Sequence, residues 1–504
     1  MNDPGKLDQY AYLLPGEKLE SITPVEDVSL NLTPSSVMEL WRLDRVSPGR
    51  NMGQQPVLAA LPLDGHEDDP NFRLYEAIFG RDSLRVALDL IDRYPDLTRN
   101  TLKTLAENQG IKYDAAGEEE PGRIPHEIRD PKTDEIAQIL TKENGWAWPY
   151  YGAVDTTPEF VRVLAKYCRK STSGKDFLRG FTFMARDGKT RNMEYALGQA
   201  LNWICKRMDA NPEGLVEFKH ANPLGIENQV WRDSWDSYFH ADGTIANHEQ
   251  PIASVDVQRV TFDALLDAAD VYADYLGDIA RATELRERAD KLRQRIMELF
   301  WTKEKNGYFV LGTDRDQSGK PRQLKVRTSD MGHLLHSRLL RGKDPDITNY
   351  REAILRQLFS KEMIGLNGIR TVATDEVRYR PGAYHNGSVW IWTNYLIIQG
   401  LALNGYNLLA NFIATKLLND TNLTRRFPEY LRGDNDPTHR LNTARVVVYD
   451  SRAKRENVVE QSPQDVQAWS VAAILGIKLH ESVEPKSTAF DNTIEGELLN
   501  GLSG

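Results

Sequence analysis

The stretch VTFDALLDAADVYADYLGDIARATELRERADKLRQRIMELF, residues 260–300, is the clearest structural signal in this chain of 504 residues. In its second half, apolar residues recur every three or four positions, which is the spacing of a helix face that packs against a core. They are Ile279, Ala282, Leu285, Ala289, Leu292, Ile296 and Leu299. Gly277 can end a first helix, and the Asp278 side chain can cap a second one. The stretch therefore predicts two antiparallel helices.

The same pattern predicts helices elsewhere. A second hairpin spans 389–418 and breaks at Asn404-Gly405, and single helices span 158–169 and 191–208. Strand signals are short and predict small β-hairpins within loops; they lie at 308–311 and 446–449.

The domain organisation is simple, because no low-complexity linker divides the chain. One helical domain is predicted over 41–487. Residues 1–40 carry little helical periodicity and are predicted to form an arm packed on that domain, and 488–504 a weakly ordered tail.

Composition excludes several classes of protein. The net charge is −10 and basic residues are not clustered, which argues against nucleic acid as a partner. No apolar run approaches the roughly 18 residues that a membrane-spanning helix needs. The start lacks the features of a secretion signal, and the two cysteines, Cys168 and Cys205, lie in apolar helical segments. We expect a cytoplasmic protein without a membrane partner.

Four separated blocks combine carboxylates or amides with aromatic rings and glycine. They are FGRDS at 79–83, WRDSWD at 231–236, YHNGSVW at 384–390 and PEYLRG at 428–433. Carboxylates and amides hydrogen-bond hydroxyl groups, and flat rings stack on the apolar faces of sugars. The combination is typical of a glycosidase.

Glycoside hydrolysis needs one carboxylic acid and a second carboxylate. Asp233 and Asp236 are candidates for the acid, with Asp233 first, because a nearby tryptophan desolvates a carboxylate and raises its pKa. Either could instead cap a helix or bind a sugar hydroxyl. Glu429 and Glu460 are candidates for the second carboxylate, since both precede the apolar segment 467–475. The residues alone do not separate these two.

Other residues could bind sugar or merely stabilise the fold. Arg81 and Asp82 stand where a loop meets a predicted helix near Leu84, and could grip neighbouring hydroxyls or form an internal ion pair. His126, Glu127 and the aromatic run 146–152 add polar and aromatic surface.

We predict neither a metal nor a cofactor. The stretch 314–319 imitates the start of a calcium loop, but Lys325 stands where the bidentate glutamate belongs, so we predict a β-turn. His333 and His336 lack a third ligand. No phosphate-binding glycine loop or dinucleotide fingerprint is present.

Taken in order, the blocks resemble the glucosidase part of glycogen debranching enzymes, the amylo-α-1,6-glucosidase family, and more distantly the glucoamylases. The resemblance extends from about Tyr75 to Leu475. Further similar stretches lie at 122–127, 149–155, 256–258, 328–335 and 368–371.

The resemblance implies an (α/α)6 barrel with the active site in loops at one end. It implies Asp233 as general acid, Glu429 as general base, and Arg81-Asp82 as the pair that holds the hydroxyls of the terminal sugar. An insertion between Glu429 and Trp469 keeps Glu460 as an alternative base. The other substrate-binding residues expected from these stretches are His126, Glu127, Tyr150, Tyr151, Asp155, Trp231, Gln258, Arg370, Tyr384, His385, Asn386, Gly387 and Trp390.

These observations predict an exo-acting, inverting glycosidase that releases a terminal sugar, with α-glucose as first choice, from a small glycoside or oligosaccharide. Two alternatives use the same residues. A glycoside phosphorylase would take phosphate in place of water, and a sugar-binding protein would bind without hydrolysis.

Overall fold

The computed structural model describes residues 56–61, 74–170, 174–424, 426–437, 444–450, 455–461, 463–464, 466–480 and 494–502. The predicted arm, residues 1–40, lies outside this part of the chain.

Helices dominate the described residues. In chain order they are α1 (Gly80–Leu90), α2 (Pro95–Glu107), α3 (Glu135–Asn144), α4 (Thr156–Lys170), α5 (Gly174–Gly180), α6 (Met193–Ala210), α7 (Val255–Val271), α8 (Ile279–Phe300), α9 (Asp330–His333), α10 (Pro345–Leu358), α11 (Ile391–Leu403), α12 (Asn407–Thr424), α13 (Ala468–His480) and α14 (Ile494–Leu502).

The hairpin predicted over 260–300 is formed by α7 and α8. The carboxylate of Asp278 accepts the Arg281 N–H at 2.9 Å, and Gly277 adopts φ 73°. Most of the predicted stripe is buried, but Ile279 is 60% exposed. Ile279 is the first residue of α8. The other predicted helices are confirmed as α4, α6 and the pair α11–α12.

The strands are short and lie at loops and helix ends. They are β1 (Ala60–Leu61), β2 (Ile78–Phe79), β3 (Glu127–Ile128), β4 (Thr182–Met184), β5 (Thr190–Asn192), β6 (Ala253–Ser254), β7 (Trp301–Thr302), β8 (Tyr308–Phe309), β9 (Gly312–Arg315), β10 (Pro321–Leu324), β11 (Val389–Trp390), β12 (Tyr430–Leu431), β13 (Ala444–Asp450), β14 (Arg455–Gln461) and β15 (Val466–Gln467). The longest pair, β13–β14, is an antiparallel hairpin that includes the predicted strand at 446–449. The stretch that imitates a calcium loop forms the turn between β9 and β10, where Asp316 accepts the Ser318 and Lys320 N–H groups at 2.8 and 3.0 Å.

Besides β5, which pairs with the neighbouring β4 and leads into α6, four strands lead directly into helices: β2 into α1, β6 into α7, β11 into α11 and β15 into α13. Each of them pairs with a strand from elsewhere, namely β3, β9, β12 and β1 respectively, all antiparallel. Because these pairs tie the start of each helix to a distant loop, they bring the N-terminal ends of several helices together.

The helices that follow these strands pack side by side. α1 contacts α4 and α13, α4 contacts α7, α7 contacts α9, and α11 contacts both α9 and α13. These contacts link the six helices in a closed series that begins and ends at α1. Large apolar residues fill the space around these helices, and Cys168 and Cys205 are buried there as free thiols.

The last helix, α14, lies where the sequence predicted a weakly ordered tail. Its Glu495 carboxylate accepts the N–H groups of Leu408 and Leu409 at 2.9 and 3.2 Å, which caps the start of α12. Leu498 is buried. Tertiary packing therefore orders residues 494–502. No helix in the described part of the chain is long and apolar enough to span a membrane.

Candidate active site

A cavity of about 330 Å³ opens at the N-terminal ends of α1 and α13. Most of its walls are aromatic or ionisable. It is lined by Tyr75, Phe79, Arg81, Asp82, His126, Trp231, Asp233, Tyr384, His385, Trp390, Glu429, Gln467 and Trp469.

Asp233 is presented to this cavity by an anchored backbone. The preceding Arg232 is fully buried, and its guanidinium donates to the backbone oxygens of Thr371 and His385 at 3.2 and 2.8 Å. The Trp231 indole N–H donates to Asp330 at 2.7 Å. The Asp233 side chain is 10% exposed. These contacts hold its carboxyl group at the cavity wall.

His385 lies beside Asp233. Burial, followed by the charges of Arg232 and Arg81, holds the pKa of His385 well below its usual value, so the ring is neutral. The Ser234 N–H donates to Nδ1 at 3.3 Å, which places the ring hydrogen on Nε2. Nε2 is 3.9 Å from Asp233 Oδ1 and has no hydrogen-bond partner among the described residues. His385 thus offers one N–H to a hydroxyl bound beside Asp233.

Glu429 lies on the turn before β12 and is 2% exposed. The Tyr384 hydroxyl donates to Oε1, and the Gln464 N–H donates to Oε2 at 3.3 Å. Burial raises the pKa of Glu429 to about 8, although both hydrogen bonds favour the ionised form. A carboxyl group with a pKa in this range can exchange a proton with water near neutral pH.

Asp233 and Glu429 act on each other electrostatically. The negative charge of Asp233 contributes to the raised pKa of Glu429 and also to that of Tyr384. Such coupling requires the groups to be close. The cavity therefore joins two carboxyl groups supplied by segments almost 200 positions apart.

Arg81 and Asp82 lie in the first turn of α1, which begins at Gly80, earlier than the sequence predicted. The Arg81 Nε donates to the Asp155 carboxylate at 3.0 Å, and Asp82 accepts from the Gln467 amide at 3.2 Å. Burial raises the pKa of Asp82 to about 7, while the Arg81 charge opposes this. Both side chains reach the cavity, and Asp155 positions Arg81 from outside it.

Aromatic rings form the rest of the wall. The ring of Trp390 stacks on His385 with centroids 5.2 Å apart, and meets the edges of Trp231 and Trp469 at 5.9 and 5.7 Å. The hydroxyl groups of Tyr75 and Tyr384 are 3.3 Å apart. Rings packed at these spacings form a rigid surface on which a sugar can stack.

The alternative carboxylates do not line this cavity. Asp236 is buried near Arg378, with 4.0 Å between the charged groups, and burial raises its pKa to about 6. Glu460 is exposed on β14, opposite Arg445. Of the four candidates, the structure brings Asp233 and Glu429 together.

Several predicted binding residues stabilise the walls of the cavity and do not reach into it. Glu127 pairs with Arg129, and the Tyr151 hydroxyl donates to the Asn108 oxygen at 2.7 Å. Tyr150 stacks on Trp146 with centroids 3.7 Å apart.

Predicted binding residues in two loops and one helix also stabilise the walls of the cavity and do not reach into it. The Gln258 amide hydrogen-bonds the backbone of Val216, and the Arg370 guanidinium donates to backbone oxygens, including that of Ile364 at 2.6 Å. Asn386 donates to the Asp236 oxygen at 2.9 Å. Gly387 has φ 157° and lies against Arg380, where a Cβ would be 2.1 Å from the backbone oxygen. These residues shape the loops that carry the cavity residues.

Tyr75, Phe79, Gln467 and Trp469 line the cavity but were not among the predicted site residues. Gln467 and Trp469 stand at the start of α13, in a segment that the sequence marked only as a buried helix. The sequence around Tyr75 contains no motif that marks it as a site residue. Within the described residues, no group of three or more histidines, cysteines or carboxylates could hold a metal ion.

The sequence model of the Mannosylglycerate hydrolase MGH1-like glycoside hydrolase domain matches residues 153–442, which is more than half of the chain. The chain belongs to this family. The matched region includes both Asp233 and Glu429. A comparison with curated proteins finds no match.

Crystal structures of the GH63 mannosylglycerate hydrolase from Thermus thermophilus show the same fold. The structure in complex with Tris and D-glycerate has a TM-score of 0.57 at 15% identity, over 87% of this chain and 98% of that chain. The structure in complex with glucose has a TM-score of 0.55 at 15% identity, over 88% and 99%.

The family match confirms the predicted class, a glycoside hydrolase similar to the glucoamylases, but it does not support the debranching-enzyme family specifically. The sequence blocks did not separate the two, because they mark an active-site chemistry of carboxylates and aromatic rings rather than one sugar. A glycoside hydrolase acts on a carbohydrate, so the prediction of a carbohydrate substrate is retained.

Proposed function

We propose that this glycoside hydrolase is exo-acting and inverting, and that it releases one terminal α-linked hexose from a small glycoside. Mannosylglycerate is the first candidate substrate because the family is named for its hydrolysis. The corresponding glucoside is the second, since α-glucose was the sugar expected from the sequence.

The observation that carries the proposal is the shared cavity of Asp233 and Glu429. Asp233 would protonate the glycosidic oxygen as the bond to the anomeric carbon breaks. Glu429 would take a proton from a water that attacks the opposite face of the sugar. Inverting enzymes keep their carboxyl groups roughly 6.5–9.5 Å apart to leave room for that water.

The neighbours of each carboxyl group support this assignment. The Tyr384 hydroxyl and the Gln464 N–H hold the Glu429 carboxylate in one orientation. Near Asp233, the Nε2 hydrogen of His385 would bind a hydroxyl of the sugar. Arg81 and Asp82 would bind two neighbouring hydroxyls through charge-assisted hydrogen bonds, since both reach the same cavity.

The helix contacts support an (α/α)6 barrel. The closed series of α1, α4, α7, α9, α11 and α13 supplies six inner positions, with α9 continued by a 3-10 turn at Leu334–His336. The cavity then lies at the end of the barrel formed by the N-terminal ends of the inner helices.

An acidic side chain at the base position disfavours a phosphorylase, because a phosphorylase needs a basic pocket for phosphate where Glu429 stands. The presence of both carboxyl groups disfavours a sugar-binding protein without activity.

The test is to incubate the protein with α-mannosylglycerate, α-glucosylglycerate and a maltooligosaccharide, and to follow the products by proton NMR. We expect a hexose released first as the β-anomer from one of the two glycerate conjugates. Release of the α-anomer would exclude inversion. Turnover that depends on phosphate would favour the phosphorylase, and no turnover of any α-glycoside would remove the proposal.

A further inference from the structure

A second cavity, of about 520 Å³, lies far from the candidate active site. Leu88 lies near the C-terminal end of α1, Lys166 and Arg169 near that of α4, and Asp267 near that of α7. The active-site cavity is at the N-terminal ends of α1 and α13. Because α1 has 11 residues and is about 16 Å long, the two cavities lie at its opposite ends.

Positive charge predominates around this cavity, in a chain whose net charge is −10. Its cationic side chains are Arg162, Lys166, Arg169, Arg338 and Arg341, and its carboxylates are Asp263 and Asp267. His336 completes the polar lining.

The carboxylates are already bound by other groups. Asp267 pairs with Arg169 at 2.9 Å. Asp263 accepts the Ser337 hydroxyl and the Arg338 N–H, both at 2.9 Å. Asp270, next to the cavity, pairs with Arg338 at 2.8 Å. These contacts neutralise Arg169 and Arg338.

Lys166 and Arg341 differ from the other cations. Within the described residues, neither forms an ion pair with a carboxylate. The Arg341 Nη2 donates to the His336 backbone oxygen at 3.1 Å, and its buried Nε has no hydrogen-bond partner among the residues that the structure describes. Among the carboxylates, Asp89 has the largest electrostatic effect on Lys166, but Asp89 is itself paired with Arg85.

The pKa values of Lys166 and His336 reflect the shortage of negative charge around this cavity. Burial lowers the pKa of Lys166; the charge of Asp89 opposes this, and the charges of Arg162 and Arg85 lower the pKa further. His336 has a pKa well below its usual value because of burial and then of four cations, Arg162 first.

Compensation of the helix dipole does not account for the whole cluster. Cations in the last turn of a helix stabilise its free carbonyl groups, and Arg169 can serve α4 in this way. Arg341 lies outside the α-helices, after the 3-10 turn Arg338–Leu340, and Lys166 lies a full turn before the end of α4.

We propose that this cavity binds a small multivalent anion, a phosphate group, between Lys166 and Arg341. The guanidinium of Arg341 suits two-point contact with phosphate oxygens, and the Lys166 ammonium adds a point charge. The cavity exceeds the size of inorganic phosphate, so the group can belong to the phosphate monoester of a small sugar.

Isothermal titration calorimetry on the full chain tests the proposal with two probes, inorganic phosphate and glucose 6-phosphate, at constant ionic strength. We expect binding of at least one probe, weakened about tenfold or more in Lys166→Met and in Arg341→Gln. Lys291→Met is the matched control, because Lys291 is exposed on α8. Lys166→Arg keeps the charge and should keep the binding, which separates lost contact from misfolding.

Tighter binding of the monoester would assign the site to a sugar phosphate, and equal binding would assign it to phosphate alone. Binding of neither probe at about 10 mM would overturn the proposal, since a site of about −3 kcal/mol would be seen at that concentration. Affinities unchanged in both Lys166→Met and Arg341→Gln would also overturn it, because the bound anion would then lie elsewhere.

Discussion

At the scale of single residues, the environment of a carboxyl group decides its chemistry more than its identity does. Asp233 and Asp236 are three positions apart and both follow a tryptophan, yet one lines the cavity and the other lies near Arg378. Glu429 is buried against Tyr384, whereas Glu460 is exposed. The sequence offered these four carboxyl groups as candidates, and burial and partners distinguish among them.

Asp233→Asn should lower kcat by about 10²–10⁴-fold, because an amide cannot give a proton to the leaving oxygen. Asp236→Asn is the matched control, with activity close to that of the parent. Steady-state kinetics on the substrate found by NMR, with thermal melting to check folding, provides the measurement. The reverse result, an active Asp233→Asn and an inactive Asp236→Asn, would move the acid role to Asp236.

Activity should rise with pH up to about 8, because Glu429 works as a base only when ionised and burial raises its pKa to about 8. Tyr384→Phe removes a hydroxyl that donates to this carboxylate, so the pKa should rise further. We expect the acidic limb of kcat/KM against pH to move upward by about one unit, since a hydrogen bond to a charged group is worth about 1.5 kcal/mol.

Tyr350→Phe is the control for this experiment, because Tyr350 packs on Trp301 and Phe309 away from the cavity. Its pH profile should match that of the parent. An unmoved limb in Tyr384→Phe would show that another group controls the profile.

At the scale of elements, the structure has the predicted helices and a strand at each of the two predicted positions, 308–311 and 446–449, but most of its short strands were not predicted. An amphipathic helix such as α8 repeats its buried face over many residues, so a local window contains the signal. The strands that lead into α1, α7, α11 and α13 have two residues each and no periodicity. Their pairing partners are distant in sequence, which no local pattern records.

One of these short pairs, β11–β12, places the loops of Tyr384 and Glu429 side by side. Here Gly433 lies so close to Gly387 that an added Cβ would be 1.6 Å from the Gly387 oxygen. Gly433→Ala should therefore push these loops apart, lowering the free energy of unfolding by about 2 kcal/mol or more, and reduce kcat.

Denaturant unfolding and kinetics on the same preparation measure both effects. Gly180→Ala is the control, because nothing lies within 4 Å of a Cβ added at Gly180. Parent-like stability and activity in Gly433→Ala would mean that the two loops do not need this close contact.

At the scale of the whole molecule, the active site reduces stability in return for reactivity. Glu429 has a pKa of about 8 when folded against 4.5 as its ordinary value. Its protonated form is the one that folding favours, so this stabilisation is complete below about pH 4.5 and is lost as pH rises through 8.

Glu429→Gln removes this ionisation. We expect the variant to have a higher Tm than the parent at pH 8, and the difference to shrink as the pH falls towards 5. Differential scanning calorimetry over this pH range measures the difference in Tm. Asp236→Asn is a second variant for the comparison, since it removes a carboxyl group whose pKa is raised less, to about 6. A difference that grows towards low pH would contradict a protonated Glu429 in the folded protein.

The amino-acid sequence by itself determined the helical character of the chain, the helical hairpins and the kinds of residue available for chemistry, because helical periodicity and residue type are local properties. Only the tertiary structure decided which carboxyl groups meet, since Asp233 and Glu429 come together through the packing of whole helices. It also decided which of the predicted binding residues face the cavity: Arg81 reaches it, while Tyr150 and Arg370 are held in its walls. The physical reason is that burial and proximity arise from residues distant along the chain, which a sequence pattern does not contain.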